Sequence, residues 1–176
     1  MELDLQCERC RLSQRRIQVV PPSGDLRSLV VFVGEGPGEK EDQKGAPFVG
    51  RAGKMLDRLL NEEGLPRERI MITNTVKCRP PDNRRPLPDE MQACFPYLEQ
   101  ELQDRQLIVA MGRTACENLL GRAVKVGQEA NTYASIELMG KKKEVLLTYH
   151  PSACLYNLKA REGLRASIRL VRERFF

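Results

Sequence analysis

Histidine is almost missing from this chain: among 176 residues there is one, His150. Sites that gather several imidazoles around a metal are thereby excluded, and any step that needs an imidazole has a single candidate. Long apolar runs are missing too, and no stretch approaches the roughly 20 consecutive apolar residues of a membrane-crossing helix. The start, Met1 to Cys10, is acidic and contains cysteine, unlike an export signal. Nor do the six cysteines look like a secreted disulfide framework, because the chain is too long for one and carries no export signal. The expectation is a cytoplasmic monomer with no membrane partner, forming a single domain over residues 1–176.

Two nucleotide-binding signatures are absent as well. The glycine-rich stretch Gly34-Glu35-Gly36-Pro37-Gly38 is not followed by the Gly-Lys-Ser/Thr of a Walker loop, and its glycine spacing is wrong for a dinucleotide fingerprint. Its acidic neighbours Glu39, Glu41 and Asp42 argue against a phosphate cradle. They suit a loop that orients a neutral, hydrogen-bonding ligand or a water.

What is present is a basic balance and an alternating pattern. The net charge of +5 and a pI near 9.0 favour a polyanionic partner without establishing one. Arg84-Arg85, Lys141-Lys142-Lys143 and the arginine-rich C-terminus are candidate phosphate contacts, the last more readily a solvated face. Four short apolar, β-branched segments, Leu29–Val33, Ile70–Val76, Leu107–Met111 and Val145–Thr148, read as strands buried on both faces of a parallel sheet. Between and after them the spacing predicts helices over Ala52–Glu63, Pro88–Leu102, Thr114–Leu120 and Ala160–Phe175. Val124–Gly140 is weakly patterned and reads as a loop or an extra hairpin turning at Gly140. Alternating β and α units imply right-handed crossovers and helices on both sides of the sheet.

Such a sheet carries its site at the carboxyl ends of its strands. There the sequence places the glycine loop, Thr73-Asn74, Gly112-Arg113 and Tyr149-His150-Pro151-Ser152. Phe48, in Gly45–Gly50, is placed to stack on a flat ring or to pack in the core. Asn74 offers a donor and an acceptor to a base edge, or caps a turn. A neutral His150 could donate to an oxygen that gains negative charge as a bond breaks. Together these residues describe a nucleobase pocket, of the kind into which base-modifying enzymes extrude their target.

The cysteines form a second constellation. Cys7 and Cys10 make a C-x-x-C pair; Cys78 follows the second strand and Cys94 lies on the next helix. Four thiolates suit zinc or an iron–sulfur cluster, and the wide spacing of the second pair tilts the reading toward a cluster. Cys116 falls on an apolar helix face and reads as core.

Taken in order, the Cys7/Cys10 pair, Gly34–Gly38 with Glu41-Asp42, Pro47-Phe48-Val49-Gly50, Ile72-Thr73-Asn74 through Cys78-Arg79-Pro80-Pro81 with Asn83, and His150-Pro151-Ser152 resemble the family 4 uracil-DNA glycosylases. The resemblance runs from about Cys7 to the last helix. It implies an α/β fold, a three-layer α/β/α sandwich on a central four-stranded parallel sheet. It implies excision of uracil from uracil-containing DNA, and a [4Fe–4S] cluster held by Cys7, Cys10, Cys78 and Cys94. Catalytic roles fall to His150, Asn83 and Glu35. The base would be bound by Glu35, Gly36, Pro37, Glu41, Phe48, Asn74 and His150. Cys154 and Leu155 are the candidates for a wedge entering the DNA where the base has left. Tyr156-Asn157 stand where the family often has an arginine, and Val126–Ser135 lacks the family's basic-glycine pattern. Two other readings compete. One is a non-catalytic or covalently linking uracil-DNA-binding relative, disfavoured by the missing second histidine. The other is a cluster-bearing accessory module of DNA replication, disfavoured by the presence of Asn74, Asn83 and His150.

Overall fold

The computed structural model describes residues 2–176. The chain builds strands β1 (Ser23–Gly24) and β2 (Val30–Gly34), helices α1 (Glu39–Lys44) and α2 (Arg51–Glu62), strand β3 (Met71–Asn74), helix α3 (Pro88–Leu102), strand β4 (Leu107–Met111), helices α4 (Arg113–Leu120) and α5 (Val126–Glu129), strands β5 (Tyr133–Leu138) and β6 (Lys141–Thr148), and helix α6 (Leu158–Phe175). Short 3-10 turns occupy Arg11–Gln14, Arg67–Arg69, Pro81–Asn83 and Ala153–Leu155.

All six strands form one sheet in the order β1-β3-β2-β4-β6-β5. The four inner strands are parallel, and they are the four the sequence pattern picks out. The expected four-stranded sheet is extended by an antiparallel strand at each edge. The weakly patterned stretch supplies one of these, since β5 and β6 make a hairpin turning through Met139 (φ 50) and Gly140 (φ 75). That strand escapes the apolar pattern because it is an edge: its residues alternate between exposed and half-buried rather than running apolar.

Successive strand residues point to opposite faces, and this alternation makes the layers. Val30 and Phe32 of β2, with Leu107, Val109 and Met111 of β4, pack against Leu56, Leu59 and Leu60 of α2 and Leu164, Ile168 and Val171 of α6. Val31 and Val33, with Ile108 and Ala110, pack on the other side against Leu98 and Leu102 of α3 and Ala115, Cys116 and Leu119 of α4. The result is the expected helix–sheet–helix sandwich, with each fully buried aliphatic or aromatic side chain contributing about 1.5–3 kcal/mol. A third, smaller apolar cluster joins Leu12, Val19, Val76, Cys78 and Met91 at the N-terminal side. Among the described residues no helix is long and apolar enough to cross a membrane.

Two of the suggested phosphate contacts are otherwise engaged. Lys143 is buried and donates to the carbonyls of Gln103 and Arg105. The C-terminal arginines Arg165, Arg169 and Arg174 pair with Glu62, Glu63 and Glu144, so that face is a solvated ion-pair surface.

Candidate active site

The carboxyl ends of β2, β3 and β6 open onto a single hollow of about 360 Å³. Phe48, Asn74 and His150 all line it, together with Glu35, Gly36, Pro37, Glu41 and Asn83. The loops that follow β2 and β3 run side by side: the amides of Thr75 and Val76 donate to the carbonyls of Gly34 and Glu35 at 2.9 and 3.2 Å. Gly34 must be glycine here. A Cβ would come within 2.4 Å of Phe48 Cζ and 2.6 Å of Asn74 Oδ1, so the missing side chain is what lets the ring and the amide close together.

Asn74 is buried, and its Oδ1 has no hydrogen-bond partner among the described residues. A buried acceptor left unsatisfied costs about 1–3 kcal/mol, which a ligand N–H would recover. The backbone beneath it is fixed by a buried lysine. Lys77 Nζ donates to the Asn74 carbonyl at 2.7 Å, to Thr73 Oγ1 at 2.6 Å and to Glu101 Oε2 at 2.7 Å. Its place in the sequence, between the apolar Val76 and Cys78, was the signal for it.

His150 follows β6. Its Nδ1 accepts from the Ser152 backbone amide at 3.1 Å and lies 2.8 Å from Ser152 Oγ. An Nδ1 that accepts a hydrogen bond carries no proton, so the neutral ring carries it on Nε2 and is a donor there. Burial pushes the imidazole pKa down to about 4, against a smaller opposing pull from Glu41. At neutral pH the ring is therefore an uncharged donor. Its centroid lies 5.6 Å from that of Phe48, the planes tilted by 37°.

The carboxylates differ in how free they are. Glu41 lies on the first turn of α1. Its Oε2 accepts from the Gly38 amide at 3.2 Å, and its Oε1 accepts from the amides of Val49 and Gly50 at 3.1 Å each. It lines the hollow but spends its oxygens on the backbone that carries Phe48. Glu35 accepts from Thr114 Oγ1 at 2.6 Å. It also borders an adjoining recess of about 140 Å³ that reaches Gly112 and Arg113. Asn83 ends the turn Pro81–Asn83, where Asp82 and Asn83 both hold positive φ (54 and 55). Arg79 Nε donates to its Oδ1 at 2.8 Å, leaving its amide hydrogens and a second lone pair for the hollow.

One expectation is corrected. Cys154 is fully buried and packs in the core with Leu164 and Ile168, so it cannot enter DNA. The 3-10 turn Ala153–Leu155 rotates it inward, and its Sγ lies 3.7 Å from the His150 carbonyl. Leu155 is half-buried. The side chains that project beside it are Tyr156, 80% exposed, and Leu158, 69% exposed. Arg51, on the rim of the hollow, has its guanidinium 5.7 Å from the Tyr156 ring centroid.

The cysteines gather elsewhere. Cys7, Cys10, Cys78 and Cys94 line one apolar hollow with Leu12, Val19, Val76 and Tyr97. Burial pushes the Cys78 thiol up to about 12 and raises Cys94 and Cys10, while Arg16 Nη1, 3.6 Å from Cys78 Sγ, opposes this at Cys78. No group of three His, Cys, Asp or Glu side chains among the described residues is arranged to hold a single metal ion. Cys116 is buried in the core, as expected.

Residues 21–171 match the uracil DNA glycosylase superfamily. The chain is 41% identical over 175 residues to a type-4 uracil-DNA glycosylase of Saccharolobus solfataricus, covering 96% of this chain and 81% of that one. It is 45% identical over 155 residues to the type-4 enzyme of Thermotoga maritima, covering 86% and 79%, and 38% identical over 175 residues to that of Archaeoglobus fulgidus, covering 96% and 88%. The chain therefore belongs to the uracil-DNA glycosylase superfamily and, within it, to the type-4 (family 4) uracil-DNA glycosylases.

Proposed function

We propose that this chain is a DNA-repair enzyme that takes uracil out of the DNA stack and hydrolyses its N-glycosidic bond, leaving an abasic site. The observation that carries the reading is the shared hollow: an aromatic ring, an unpartnered buried amide oxygen and a neutral imidazole donor face one space. Flipping exposes the base edge that these groups read. Phe48 stacks on the ring. Asn74 Oδ1 accepts from the uracil N3–H while its amide nitrogen donates to O4; cytosine reverses both groups and is rejected, because it would leave the buried oxygen unpaired. Gly36 and Pro37 shape the wall through backbone contact.

Bond cleavage follows from the same geometry. As the glycosidic bond stretches, negative charge collects on the departing uracil and positive charge on the sugar. His150 donates from Nε2 to O2 of the leaving base, and a neutral donor gains most of its effect in the transition state. Glu35, held by Thr114, sets a negative group near the sugar, and Asn83, held by Arg79, positions the water that attacks C1′. In this scheme water, not a lysine, attacks the sugar, which is the chemistry of a monofunctional glycosylase. Leu155, with Tyr156 and Leu158 beside it, occupies the place left in the stack. We take the protein to act as a cytoplasmic monomer.

The four thiols of the cysteine corner, which line one apolar hollow, fit a [4Fe–4S] cluster by donor type and number. When bound, the group would be structural: it would cross-link the N-terminal segment carrying Cys7 and Cys10 to the Cys78 loop and to α3 at Cys94. Arg16 would lend a charge-assisted hydrogen bond to the Cys78 sulfur.

An oligonucleotide with a single uracil tests the activity. Incubation with the purified protein should create one alkali-labile site at that position; an uncut strand under conditions where another uracil-DNA glycosylase cuts it would end the proposal. Protein purified without air should be brown, with a shoulder near about 400 nm from sulfur-to-iron charge transfer. Colourless protein with one zinc per chain would replace the cluster reading.

A further inference from the structure

Phe48 has a backbone φ of 54, a left-handed conformation that a bulky side chain adopts only when its surroundings impose it. Two groups impose it from opposite sides. Glu41 takes the amides that follow, those of Val49 and Gly50. The carbonyls are taken by Arg67, which reaches in from the turn Arg67–Arg69 before β3: Nη1 donates to Phe48 O and Nη2 to Pro47 O, each at 2.9 Å. The same guanidinium is anchored by Asp57 of α2, with Nη1 at 3.0 and 3.2 Å from its two carboxylate oxygens. Burial raises the Asp57 carboxyl pKa, and Arg67 works against that rise. Beneath the Phe48 carbonyl lies Gly53, where a Cβ would come within 2.0 Å of the oxygen. The carbonyl is thus lodged between α2 and the arginine, and the ring it carries is pressed toward Gly34, Asn74 and His150.

We infer that Arg67, braced by Asp57, is a positioning residue for base excision: it sets the depth and tilt of the Phe48 ring without touching the base. The inference rests on the uracil-excision reading above. It needs arginine in particular. A planar fork can hold two successive carbonyls and a carboxylate at once, whereas a lysine ammonium is a single point that cannot span them. An arginine serving only to pair two surface elements would leave the ring where it is when lost. An arginine that sets the ring would lose its effect once the ring is removed.

The test combines kinetics with a measurement that needs no DNA. Arg67→Gln and Arg67→Lys are compared in the native background and in Phe48→Ala. Single-turnover cleavage of the uracil oligonucleotide should fall about tenfold for either Arg67 variant, with DNA affinity within about twofold, because a small misplacement of the stacking partner is felt in the reaction step. In the Phe48→Ala background the same change should cost less than about twofold, since the two residues then act as one unit. Amide exchange on the DNA-free protein should quicken at Val49 and Gly50 and stay unchanged in strands β2 and β4. Equal losses in both backgrounds, unchanged exchange at Val49 and Gly50, or faster exchange spread through the sheet would each overturn the inference. Should Arg67→Gln fail to fold, Arg67→Lys, which keeps a charge beside Asp57, carries both readouts. If the native protein cuts no uracil oligonucleotide, the activity reading fails by itself, and the exchange data still decide whether Arg67 sets the loop.

Discussion

The hollow at the strand ends and the hollow among the cysteines are made in opposite ways. The first sets a few polar groups in a partly apolar wall and is held from several sides by the fold. Lys77 fixes the backbone of Asn74, Glu41 and Arg67 fix that of Phe48, and the Ser152 amide fixes the tautomer of His150. The second is apolar, and two of its four thiols sit on an N-terminal segment whose regular structure, among the described residues before β1, is the short turn Arg11–Gln14. The contrast separates two uses of a site. A pocket that must recognise a transient, flipped base has to exist before the base arrives. A thiol corner that takes up a metal group would let that group complete it.

The comparison can be broken most decisively at the cysteines. Cys78→Ser should abolish the absorbance near about 400 nm and quicken amide exchange from Leu3 to Val20, because a cluster that has lost a thiolate no longer ties the segment down. His150→Ala should leave the colour untouched. A variant in which one change erased both colour and pocket would show that the two hollows are a single construction. Next in size, His150→Ala should lower the cleavage rate about 10²–10³-fold, the usual cost of removing one donor to a developing anion, with little change in DNA affinity. Equal losses in rate and affinity would mean that the histidine only helps to bind. Asn74→Ala should follow, with a loss of about 1–3 kcal/mol in transition-state stabilisation for uracil. The purified variant should also bind free uracil more weakly.

The pH response sharpens the contrast further. The folded His150 has a pKa near 4, below the value of about 6.5 expected in the unfolded chain. Between those values the unfolded state binds more protons, so stability rises with pH there. The contribution is fully present above about pH 6.5 and is lost as pH falls toward 4. Allowing for partial exposure to water it amounts to about 2 kcal/mol. Denaturant titration of the native protein and of His150→Gln at pH 7 and pH 4.5 should show this difference only in the native protein. Smallest of all, Tyr156→Ala should weaken binding to DNA carrying an abasic site by a few-fold, about 0.5–1.5 kcal/mol for one exposed aromatic contact. Its affinity for free uracil should not change, because Tyr156 stands outside the hollow.

Much of this was legible in the residue order because the physics involved is local or periodic. The β-branched runs mark the four parallel strands, since strands buried on both faces admit little else. Residues that follow parallel strands share one end of the sheet, so Asn74 and His150 belong to the same rim; that they line one hollow, with β2 and β4 between their strands, was decided by the strand order and the loops. Legibility failed where a residue's direction depends on a turn. Cys154 and Leu155 are adjacent in the sequence, but the 3-10 turn sends the first into the core and leaves Tyr156 projecting. It failed also where a charged group is used internally. Glu41 lines the hollow, but nothing in the sequence told that its oxygens hold the Phe48 loop, and Lys143 reads as a phosphate contact, yet it is buried on two carbonyls.

By itself, then, the residue order determined the layer architecture and the rim on which the chemistry sits, because alternation and helical period act over short distances. Only the tertiary structure decided that Asn74 Oδ1 is left without a partner among the described residues, that His150 is neutral with its proton on Nε2, and that Arg67 braces the Phe48 backbone. Each of these depends on a contact between segments far apart in the chain or on the local path of a turn. Hydrogen bonds are set by angles and tenths of an ångström that no one-dimensional pattern encodes.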